Sequence, residues 1–511
     1  MNTSIYNYFE ETAHKYKNKA AIITDQRSWT FGQLEQSVQA MAGRILESPT
    51  PINSVIAVLL KKSHALATAD LAITAVGCAY MNLDYKSPIE RLVKIINAVR
   101  PSLVITDAQG LLMLESIPDQ TIPVLIIPSS EDDAAPLQQM RGNPGWKQLQ
   151  DIIDTDPYCL INTSGSTGTP KGVVLNHKSF VDFVDWSVTA LGIDGEEVVG
   201  SLSPAIFDIF SYELCMLAFK GSTIYLIDDR LSPYPAKILE VLEKQRVSFI
   251  FWVPTIMVNI ANLGLLESFS LPDLQMVWFA GEVFPTAHFN KWFDRLPHTK
   301  FVNLYGPIEI TLDCTYYLVP DRIPNDQPIP MGTPCRNTAL LVFKEDGTEA
   351  QDGEIGELYV RGTSLAMGYY NNPEQTAIAF VQNPLNKNYP ELIYKTGDLV
   401  TRQDGLYYFK GRADTMIKHL GYRIELTEIE HSILAAMDMV KNVCVVYAAE
   451  RKEIIAYCEV SKNLSFVDFR TELMKNLPAY MIPGKLVQVE QMAMNPNGKI
   501  DRLHFKKLSQ Q

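Results

Sequence analysis

The stretch Thr163-Ser164-Gly165-Ser166-Thr167-Gly168-Thr169-Pro170-Lys171-Gly172 decides how this chain is organised. It combines three glycines with a run of serines and threonines, one proline and one lysine. The apolar residues 158–161 before it and 173–175 after it predict short buried strands. Backbone N–H groups and hydroxyls in such a loop bind anions, and glycine lets the backbone approach them closely. With the charge of Lys171, the stretch predicts a loop that holds the triphosphate of a nucleotide.

Two other interpretations fit this stretch less well. The P-loop of nucleotide hydrolases, G-x-x-x-x-G-K-[ST], does not match, because Pro170 precedes Lys171 and Gly172 follows it. No helix is predicted to begin there. A surface loop rich in turn residues would also have this composition, but it would not need the lysine or the flanking strands.

Length and charge limit the classes of protein to consider. A chain of 511 residues is too long for one hydrophobic core, so two or more domains are expected. The net charge of −13 argues against a nucleic-acid partner, which usually requires a basic surface. The first residues lack the basic start and apolar run of a signal peptide. Residues 65–81 are the most apolar long stretch, but they include Asp70 and are too short to span a bilayer. We therefore expect no membrane partner.

The cysteine pattern indicates a reducing compartment. Seven cysteines are scattered along the chain, and none forms a C-x-x-C pair. Neither a disulfide framework nor a zinc site is predicted, and a cytoplasmic location is expected. The eight histidines are equally dispersed, and the G-x-S-x-G pattern of a serine nucleophile is absent.

Apolar segments that alternate with helical segments predict an α/β fold with a parallel sheet. Strands are predicted over residues 20–23, 55–60, 79–83, 103–106, 249–253, 276–280 and 302–305. Helices are predicted over residues 30–46, 65–76 and 89–99.

The character of the chain changes near residue 330. Short β-like runs separated by glycines, such as residues 357–362, predict a small β-barrel-like subdomain. After residue 413 comes a compact tail that mixes strands and helices. We therefore predict a large N-terminal domain over residues 1–413, built from α/β subdomains plus the small β-rich one. Residues 414–511 are predicted to form a small, mobile α+β C-terminal domain.

Seven further motifs follow one another in a fixed order. They are residues 76–84 (VGCAYMNLD), 207–213 (FDIFSYE), 305–309 (YGPIE), 356–368 (GELYVRGTSLAMG), 394–398 (YKTGD), 411–425 (GRADTMIKHLGYRIE) and 495–501 (NPNGKID). With the phosphate loop, they resemble the adenylate-forming superfamily. That superfamily comprises acyl-CoA synthetases, luciferases and the amino-acid adenylation domains of non-ribosomal peptide synthetases. The resemblance covers the whole chain.

The resemblance implies a reaction between a carboxylic acid and ATP, with Mg²⁺. The carboxylate attacks the α-phosphorus, pyrophosphate leaves and an acyl-adenylate remains; cations and fixed donors must meet the charge that develops. Lys499 is the expected catalytic cation, and Glu309 the expected catalytic carboxylate and Mg²⁺ ligand. Asp398 is expected on the ribose with Arg412 beside it, and Tyr305 on the adenine. The full set implied for nucleotide binding is Thr163, Ser164, Gly165, Ser166, Thr167, Gly168, Lys171, Gly281, Glu282, Asn303, Tyr305, Gly306, Asp398 and Arg412.

Asp208 points to an amino acid as the acid. In the resemblance this aspartate pairs with the α-ammonium group, a charge-assisted contact that gives selectivity. The implied pocket consists of Asp208, Ile209, Tyr212, Phe251, Trp278, Ala280, Leu304, Leu312 and Asp313. Its aromatic residues fill volume and favour a small side chain; proline, serine, alanine and glycine all remain open. Asp313 is suited to accept a hydroxyl or an amine.

The resemblance also implies a second step and a movement. The aminoacyl group passes to the phosphopantetheine thiol of a carrier protein, expected to be a separate chain. Asp414 stands where the hinge is expected. The face over residues 418–421 is expected to replace Lys499 at the active site, with the pantetheine arm passing beside Gly421.

One departure and three alternatives complete the sequence-based interpretation. Ile308 stands where the superfamily usually has a threonine whose hydroxyl contacts phosphate. The alternatives are a D-alanine–carrier-protein ligase, an acyl-CoA synthetase and a non-enzymatic nucleotide-binding regulator. Only Ile308 favours the regulator.

Overall fold

The computed structural model describes residues 3–48, 50–117, 121–127, 152–165, 170–413, 416–494 and 500–509. Five of the predicted site residues lie outside these ranges: Ser166, Thr167, Gly168, Asp414 and Lys499.

The described residues contain both helices and strands throughout. The α-helices are α1 Ile5–Lys15, α2 Phe31–Leu46, α3 His64–Ala75, α4 Ile89–Val99, α5 Ala108–Glu115, α6 His177–Leu191, α7 Asp208–Lys220, α8 Pro235–Lys244, α9 Pro254–Asn262, α10 Thr286–Arg295, α11 Pro373–Ala379, α12 Leu426–Ala436, α13 Phe466–Leu473 and α14 Arg502–Leu508.

The strands up to residue 334 are β1 Ala20–Ile23, β2 Ser28–Thr30, β3 Val55–Leu59, β4 Ala79–Asn82, β5 Leu103–Thr106, β6 Val124–Ile126, β7 Pro157–Thr163, β8 Lys171–Asn176, β9 Val198–Ser201, β10 Thr223–Leu226, β11 Phe249–Trp252, β12 Met276–Phe279, β13 Lys300–Tyr305, β14 Thr315–Leu318 and β15 Thr333–Pro334. The later strands are β16 Thr338–Phe343, β17 Ile355–Gly362, β18 Gly368–Tyr369, β19 Phe380–Gln382, β20 Leu392–Gln403, β21 Leu406–Arg412, β22 Met416–His419, β23 Tyr422–Glu425, β24 Val440–Ala448, β25 Glu453–Val460 and β26 Lys485–Val489.

Two large sheets confirm the predicted α/β fold. One has nine strands in the order β15-β14-β13-β12-β11-β9-β10-β1-β2, and its central strands are parallel. The other has seven strands in the order β18-β8-β7-β4-β3-β5-β6, again with a parallel centre. The sequence predicted a parallel sheet, and the structure divides the alternating segments between two.

Helices cover both faces of each sheet. The apolar helices α3 and α7 pack with the facing side chains of both sheets in one large cluster, as expected for helices that are hydrophobic all round. Helices α8, α9 and α10 cover the other face of the nine-stranded sheet, and α4 and α5 that of the seven-stranded sheet. Strand β11 shows the alternation directly: Phe249 and Phe251 face the shared cluster, and Ile250 and Trp252 face the outer helices.

Two smaller units follow the large sheets. Strands β16, β17, β19, β20 and β21 form a five-stranded antiparallel sheet, the predicted β-rich part. Beyond residue 416, β22 pairs with β23, and β24, β25 and β26 form a three-stranded sheet beside α12, α13 and α14. Two hydrophobic clusters draw all their buried members from residues 424–505. We call residues 416–494 and 500–509 the C-terminal unit. The predicted division after residue 413 stays a prediction.

Among the described helices, none combines the length and the hydropathy needed to cross a membrane.

Candidate active site

A cavity of about 330 Å³ lies where the parallel strands of the nine-stranded sheet end. Ligand sites in α/β proteins commonly occupy this position, at the carboxyl ends of the strands. The C-terminal unit forms one wall through the turn between β22 and β23. The cavity is lined among others by Asp208, Ile209, Phe251, Ala280, Gly281, Gly306, Ile308, Leu312, Asp313, Asp398, Lys418, Leu420, Gly421, Tyr422 and Arg423.

Asp208 is the first residue of α7, so its carboxylate lies among the unpaired N–H groups of a helix start. Burial raises the pKa of Asp208 to about 6, against the lowering effect of backbone N–H groups that include that of Leu312. The nearby charge of Glu309 adds to the rise. The carboxylate is therefore available as an anion at neutral pH.

The turn after β13 has an unusual backbone. Thr311 and Leu312 both adopt positive φ, at 53° and 64°, although neither is glycine. A Cβ on Gly306 would stand 2.2 Å from the carbonyl oxygen of Leu312, so the turn folds directly onto this glycine. Strained backbone of this kind is often found at functional sites. Here it directs the N–H of Leu312 to Asp208 and brings Asp313 into the cavity wall.

Asp313 is a second carboxyl group in the same cavity, only 3% exposed. Burial raises the pKa of Asp313 well above its usual value, and the neighbouring Asp208 adds to this, while Lys418 opposes it. Among the residues that the structure describes, Asp313 has no hydrogen-bond partner. A buried carboxyl without a partner is costly, so this position is suited to a polar group of a ligand.

The residues predicted to form the side-chain pocket lie at two depths in the structure. Ile209, Phe251, Ala280, Leu312 and Asp313 line the cavity as expected. Tyr212, Trp278 and Leu304 do not reach its wall; they are buried one layer behind it. Trp278 stacks on Tyr212 at 5.4 Å between ring centroids, and both rings pack against Phe251. Because residues two apart on a strand share a face, Ala280 lines the cavity while Trp278 lies deeper on the same face of β12.

Asp398 lines the cavity and is held by Arg412 and Tyr305. Arg412 Nη1 lies 2.5 Å from Asp398 Oδ1, and the Tyr305 hydroxyl donates to the other oxygen of this carboxylate. Lys418 places its Nζ 5.4 Å from the centre of the Tyr305 ring. Burial lowers the pKa of Lys418, and the charge of Asp398 partly offsets this. A cation of the C-terminal unit thus covers the ring that was expected to stack on adenine.

The residues after β12 hold the C-terminal unit in place. Gly281 lines the cavity with φ at 89°. Glu282 accepts hydrogen bonds from the N–H of Thr255 at 3.0 Å and from the N–H of Gly421 at 2.9 Å. Asn303 lies outside the cavity wall, where its side chain donates to the carbonyl of Pro330 at 2.6 Å.

The described part of the phosphate loop contacts the C-terminal unit. Ser164 Oγ donates to the carbonyl of Arg423 at 2.8 Å and accepts from the N–H of Glu425 at 2.9 Å. The N–H of Gly165 donates to Glu428 Oε2 at 3.1 Å. Two other residues predicted in this loop, Thr163 and Lys171, take no part in this contact.

These two flanking residues have partners within the N-terminal part. Thr163 Oγ1 is 3.5 Å from the carbonyl oxygen of Lys171. Lys171 Nζ donates to Gln375 at 3.2 Å and lies 5.4 Å from the centre of the Tyr369 ring.

Glu309 is completely buried and carries two partners. The Tyr369 hydroxyl donates to Oε1 at 2.7 Å, and Arg423 Nη1 lies 2.5 Å from Oε2. Burial acts to raise the pKa of Glu309, but Arg423, the Tyr369 hydroxyl and a backbone N–H together outweigh it, and the pKa is lowered. No group of three metal-binding side chains occurs in the described residues. A single buried carboxylate suits Mg²⁺, which takes one or two carboxylates together with substrate phosphates.

Three contributors to the site were not singled out from the sequence: Arg423, Glu428 and Tyr369. Arg423 stands in the quoted motif of residues 411–425, two residues after Gly421, so the motif held a signal for it. Glu428 and Tyr369 gave none, because a glutamate in a helix and a tyrosine after a glycine are ordinary surface and core residues. The expected face over residues 418–421 does lie at the cavity.

Comparisons with known proteins show which family the chain resembles. The family described as "AMP-binding enzyme" matches residues 9–370. The chain is 30% identical to zwittermicin A synthase ZmaJ of Bacillus cereus, over 98% of this chain and 94% of the other. It is 29% identical to the L-proline–[L-prolyl-carrier protein] ligase of Streptomyces coelicolor, over 92% and 90% of the two chains.

A solved structure shows the same fold. The Vibrio cholerae adenylation domain AlmE, in complex with glycyl-adenosine-5′-phosphate, superposes with a TM-score of 0.82 at 20% identity. The match covers 100% of this chain and 98% of that one. At this identity the likeness establishes the fold alone.

Proposed function

We propose that this chain activates a small amino acid, because it belongs to the family of AMP-binding enzymes. These are adenylate-forming enzymes, and its relatives include adenylation domains of non-ribosomal peptide synthetases. ATP and the amino acid give an aminoacyl-adenylate and pyrophosphate. The aminoacyl group then passes to the phosphopantetheine thiol of a carrier protein. The printed name of the Streptomyces coelicolor relative, a prolyl-carrier-protein ligase, supports this direction.

The observation that carries the proposal is the position of Asp208. Its carboxylate lies in the cavity, at a helix start, with a pKa of about 6. A carboxylate that is ionised at neutral pH and lines the cavity is a strong partner for an α-ammonium group. An acid without an amino group would leave this buried charge unpaired, which disfavours its binding.

The nucleotide is proposed to bind along Gly281, Tyr305 and Asp398. Asp398, held by Arg412 and Tyr305, is suited to accept the ribose hydroxyls. Ser164, Gly165 and Lys171 are proposed to meet the triphosphate, and Lys499 to stabilise charge on the α-phosphate. Mg²⁺ on Glu309, when bound, would neutralise charge on the phosphate oxygens. Lys499 lies outside the described residues, so its role remains a prediction from the motif.

We propose further that the preferred amino acid carries a hydrogen-bond donor on a short side chain. Asp313 faces the pocket without a partner, beside the apolar Phe251, Ala280 and Leu312. A hydroxyl or amino group satisfies such a carboxyl, whereas an aliphatic side chain leaves it unpaired. This favours a serine-like or amino-substituted side chain over alanine, glycine or proline.

Exchange of radiolabelled pyrophosphate into ATP tests the activity. A panel should hold small L- and D-amino acids, their des-amino counterparts, and aryl and fatty acids. Amino-acid-dependent exchange, followed by loading of a phosphopantetheinylated carrier protein, is the expected result. Exchange with fatty or aryl acids, followed by transfer to coenzyme A, would identify an acyl-CoA synthetase instead. Selective use of D-alanine would identify a D-alanine–carrier-protein ligase. Exchange with none of these acids would contradict the proposed activity.

A further inference from the structure

The loop that leads to Asp208 is held by side chains from the other large sheet. It runs from the end of β9, in the nine-stranded sheet, to the start of α7, and residues 202–204 and 207–208 line the cavity. Within it, the N–H of Phe207 donates to the carbonyl of Pro204 at 3.2 Å. Buried backbone carbonyls need hydrogen-bond donors. Two side chains of the seven-stranded sheet supply such donors to this loop.

The first donor is Lys62, three residues after β3. Its Nζ donates to the carbonyl of Ser201 at 2.9 Å and to the carbonyl of Ser203 at 3.3 Å. The side chain is only 3% exposed, and a carboxylate oxygen of Asp229 lies 3.7 Å from the ammonium group. Hydrogen bonds from a charged donor are stronger than those from a neutral one. Lys62 therefore ties the first part of the loop to the seven-stranded sheet.

The second donor is Asn82, the last residue of β4. Its Nδ2 donates to the carbonyl of Ala205 at 3.1 Å and to Asp70 Oδ2 at 2.9 Å. Asn82 is buried, and so is Asp70, which lies on α3 of the same half of the molecule. Together the two donors hold the carbonyls of residues 201, 203 and 205. The loop is thus fixed at three alternate residues just before the carboxylate of Asp208.

We propose that Lys62 and Asn82 are positioning residues for recognition of the amino acid, because they fix the loop that places Asp208. Neither lines the cavity, so both act through the loop. The same sheet carries the phosphate loop: β4 pairs with β7, which leads into that loop. The two donors therefore link the predicted partner of the ammonium group to the sheet predicted to hold the triphosphate. This inference rests on the proposed function for the identity of the ligand.

Hydrogen–deuterium exchange measured by mass spectrometry on the full chain tests the loop without reference to activity. In Lys62→Met and Asn82→Leu we expect exchange in peptides over residues 202–208 to rise by about tenfold, because the loop opens more often once its carbonyls lose their donors. Both substitutions remove the donor and keep a side chain of similar size. Lys61→Met is the matched control, since this neighbouring lysine is exposed and donates to Gln109 at 3.2 Å. Its loop should exchange as in the wild type.

Kinetics of pyrophosphate exchange test the link from this loop to Asp208. With the amino acid that gives the fastest exchange, Lys62→Met should raise the KM for that amino acid by about tenfold and Asn82→Leu by about fivefold. The KM for ATP should stay within about twofold of the wild-type value in both variants. The preference for the amino acid over its des-amino counterpart should fall, because Asp208 no longer meets the ammonium group. A general loss of structure would instead weaken the binding of both substrates.

Each outcome bears on the inference. Wild-type deuterium exchange over residues 202–208 in both variants would overturn it, and so would a looser loop with an unchanged KM for the amino acid. Equal rises in the KM for the amino acid and for ATP would also count against it. If Lys62→Met fails to fold, Asn82→Leu gives the same readings, since it removes only a neutral donor. If the wild type activates no amino acid, deuterium exchange still shows whether these residues hold the loop, and only the proposed function is contradicted.

Discussion

At the residue scale, two carboxyl groups share one cavity in different surroundings. Asp208 receives backbone N–H groups at the start of α7, which hold its pKa to about 6 despite burial. Asp313 lacks such donors among the described residues, and its pKa rises further. The two aspartates are thus suited to different roles. Asp208 is suited to pair as an anion with an ammonium group, and Asp313 to act as a neutral or shared hydrogen-bond partner.

The affinity for the amino acid should depend on pH through Asp208. Its carboxylate is ionised above about pH 6 and protonated below it. The α-ammonium group is charged at all these values, so lowering the pH removes the anionic partner. We expect the KM for the amino acid to be constant from pH 7 to 8 and to rise by up to about tenfold per pH unit well below pH 6. Pyrophosphate exchange measured from pH 5 to 8 checks this.

Asp208→Asn serves as the control for this profile. It keeps the shape of the side chain and removes the charge, so the KM should be high at every pH. The preference for the amino acid over its des-amino counterpart should fall strongly, while the KM for ATP changes little. A wild-type KM that is flat down to pH 5 would contradict the role of Asp208.

Asp313 should set the preference for a polar side chain. In Asp313→Ala we expect the ratio of kcat/KM for serine over alanine, or for 2,3-diaminopropionate over 2-aminobutyrate, to fall by at least about tenfold, since the carboxyl no longer requires a donor. Asp438→Ala changes an exposed carboxylate elsewhere and should leave the ratio as it is. An unchanged ratio in Asp313→Ala would show that this carboxyl does not contact the substrate.

At the scale of single elements, the turn between β22 and β23 closes the cavity. Gly421 has φ at 82°, a conformation that side chains rarely adopt. A Cβ at this position would stand 3.0 Å from Val253 Cγ1, so the backbone approaches the end of β11 closely. Its N–H donates to Glu282. A larger side chain at this position fits only when the C-terminal unit is not docked.

Gly421→Leu should therefore separate the two half-reactions. We expect pyrophosphate exchange to continue near the wild-type rate, because that step does not need the docked turn. Thioester formation on the carrier protein should be lost, because docking and the passage beside Gly421 are both blocked. The two steps are measured separately on the same preparation.

Lys499→Ala is the reciprocal control. It should slow adenylation by roughly 10²–10³, the effect of removing one group that stabilises the transition state. Transfer from a preformed aminoacyl-adenylate should be spared. Equal loss of both steps in Gly421→Leu, with the fold intact, would contradict the assignment of this turn to the second step.

At the scale of the whole molecule, the C-terminal unit has its own cores and is held against the rest by polar contacts. The buried pairs Arg91–Glu428 and Glu309–Arg423 bridge the interface. Polar interfaces of this kind allow units to separate more easily than apolar ones. That the unit moves, and presents different faces to one cavity, stays a prediction.

A rigid hinge should disable one of the two steps. Asp414→Pro fixes φ and removes an N–H donor at the predicted hinge. We expect one half-reaction to stay within about threefold of the wild-type rate and the other to fall by at least about tenfold. Glu345→Pro, at the second position of the exposed turn that follows β16, tests whether proline in an exposed turn is harmful in itself. Similar rates in both half-reactions of Asp414→Pro would place the hinge elsewhere.

The sequence by itself determined the α/β fold, the order of the motifs and the chemistry to expect. Period-two and period-3.6 patterns are local, so strands such as β11 and helices such as α4 could be predicted within one or two residues. The composition of residues 163–172 indicated the phosphate loop, whereas Gly421 was singled out only through the resemblance to the superfamily.

Only the tertiary structure decided which side chains meet. Trp278 and Ala280 lie on the same face of one strand. Trp278 stacks on Tyr212 deeper in the core, so only Ala280 lines the cavity wall. Arg423 and Glu309 are far apart in the chain and join only because the C-terminal unit docks on the cavity. Glu428 reaches Gly165 for the same reason. Contacts between distant segments depend on the packing of whole units, which no local pattern of residues specifies.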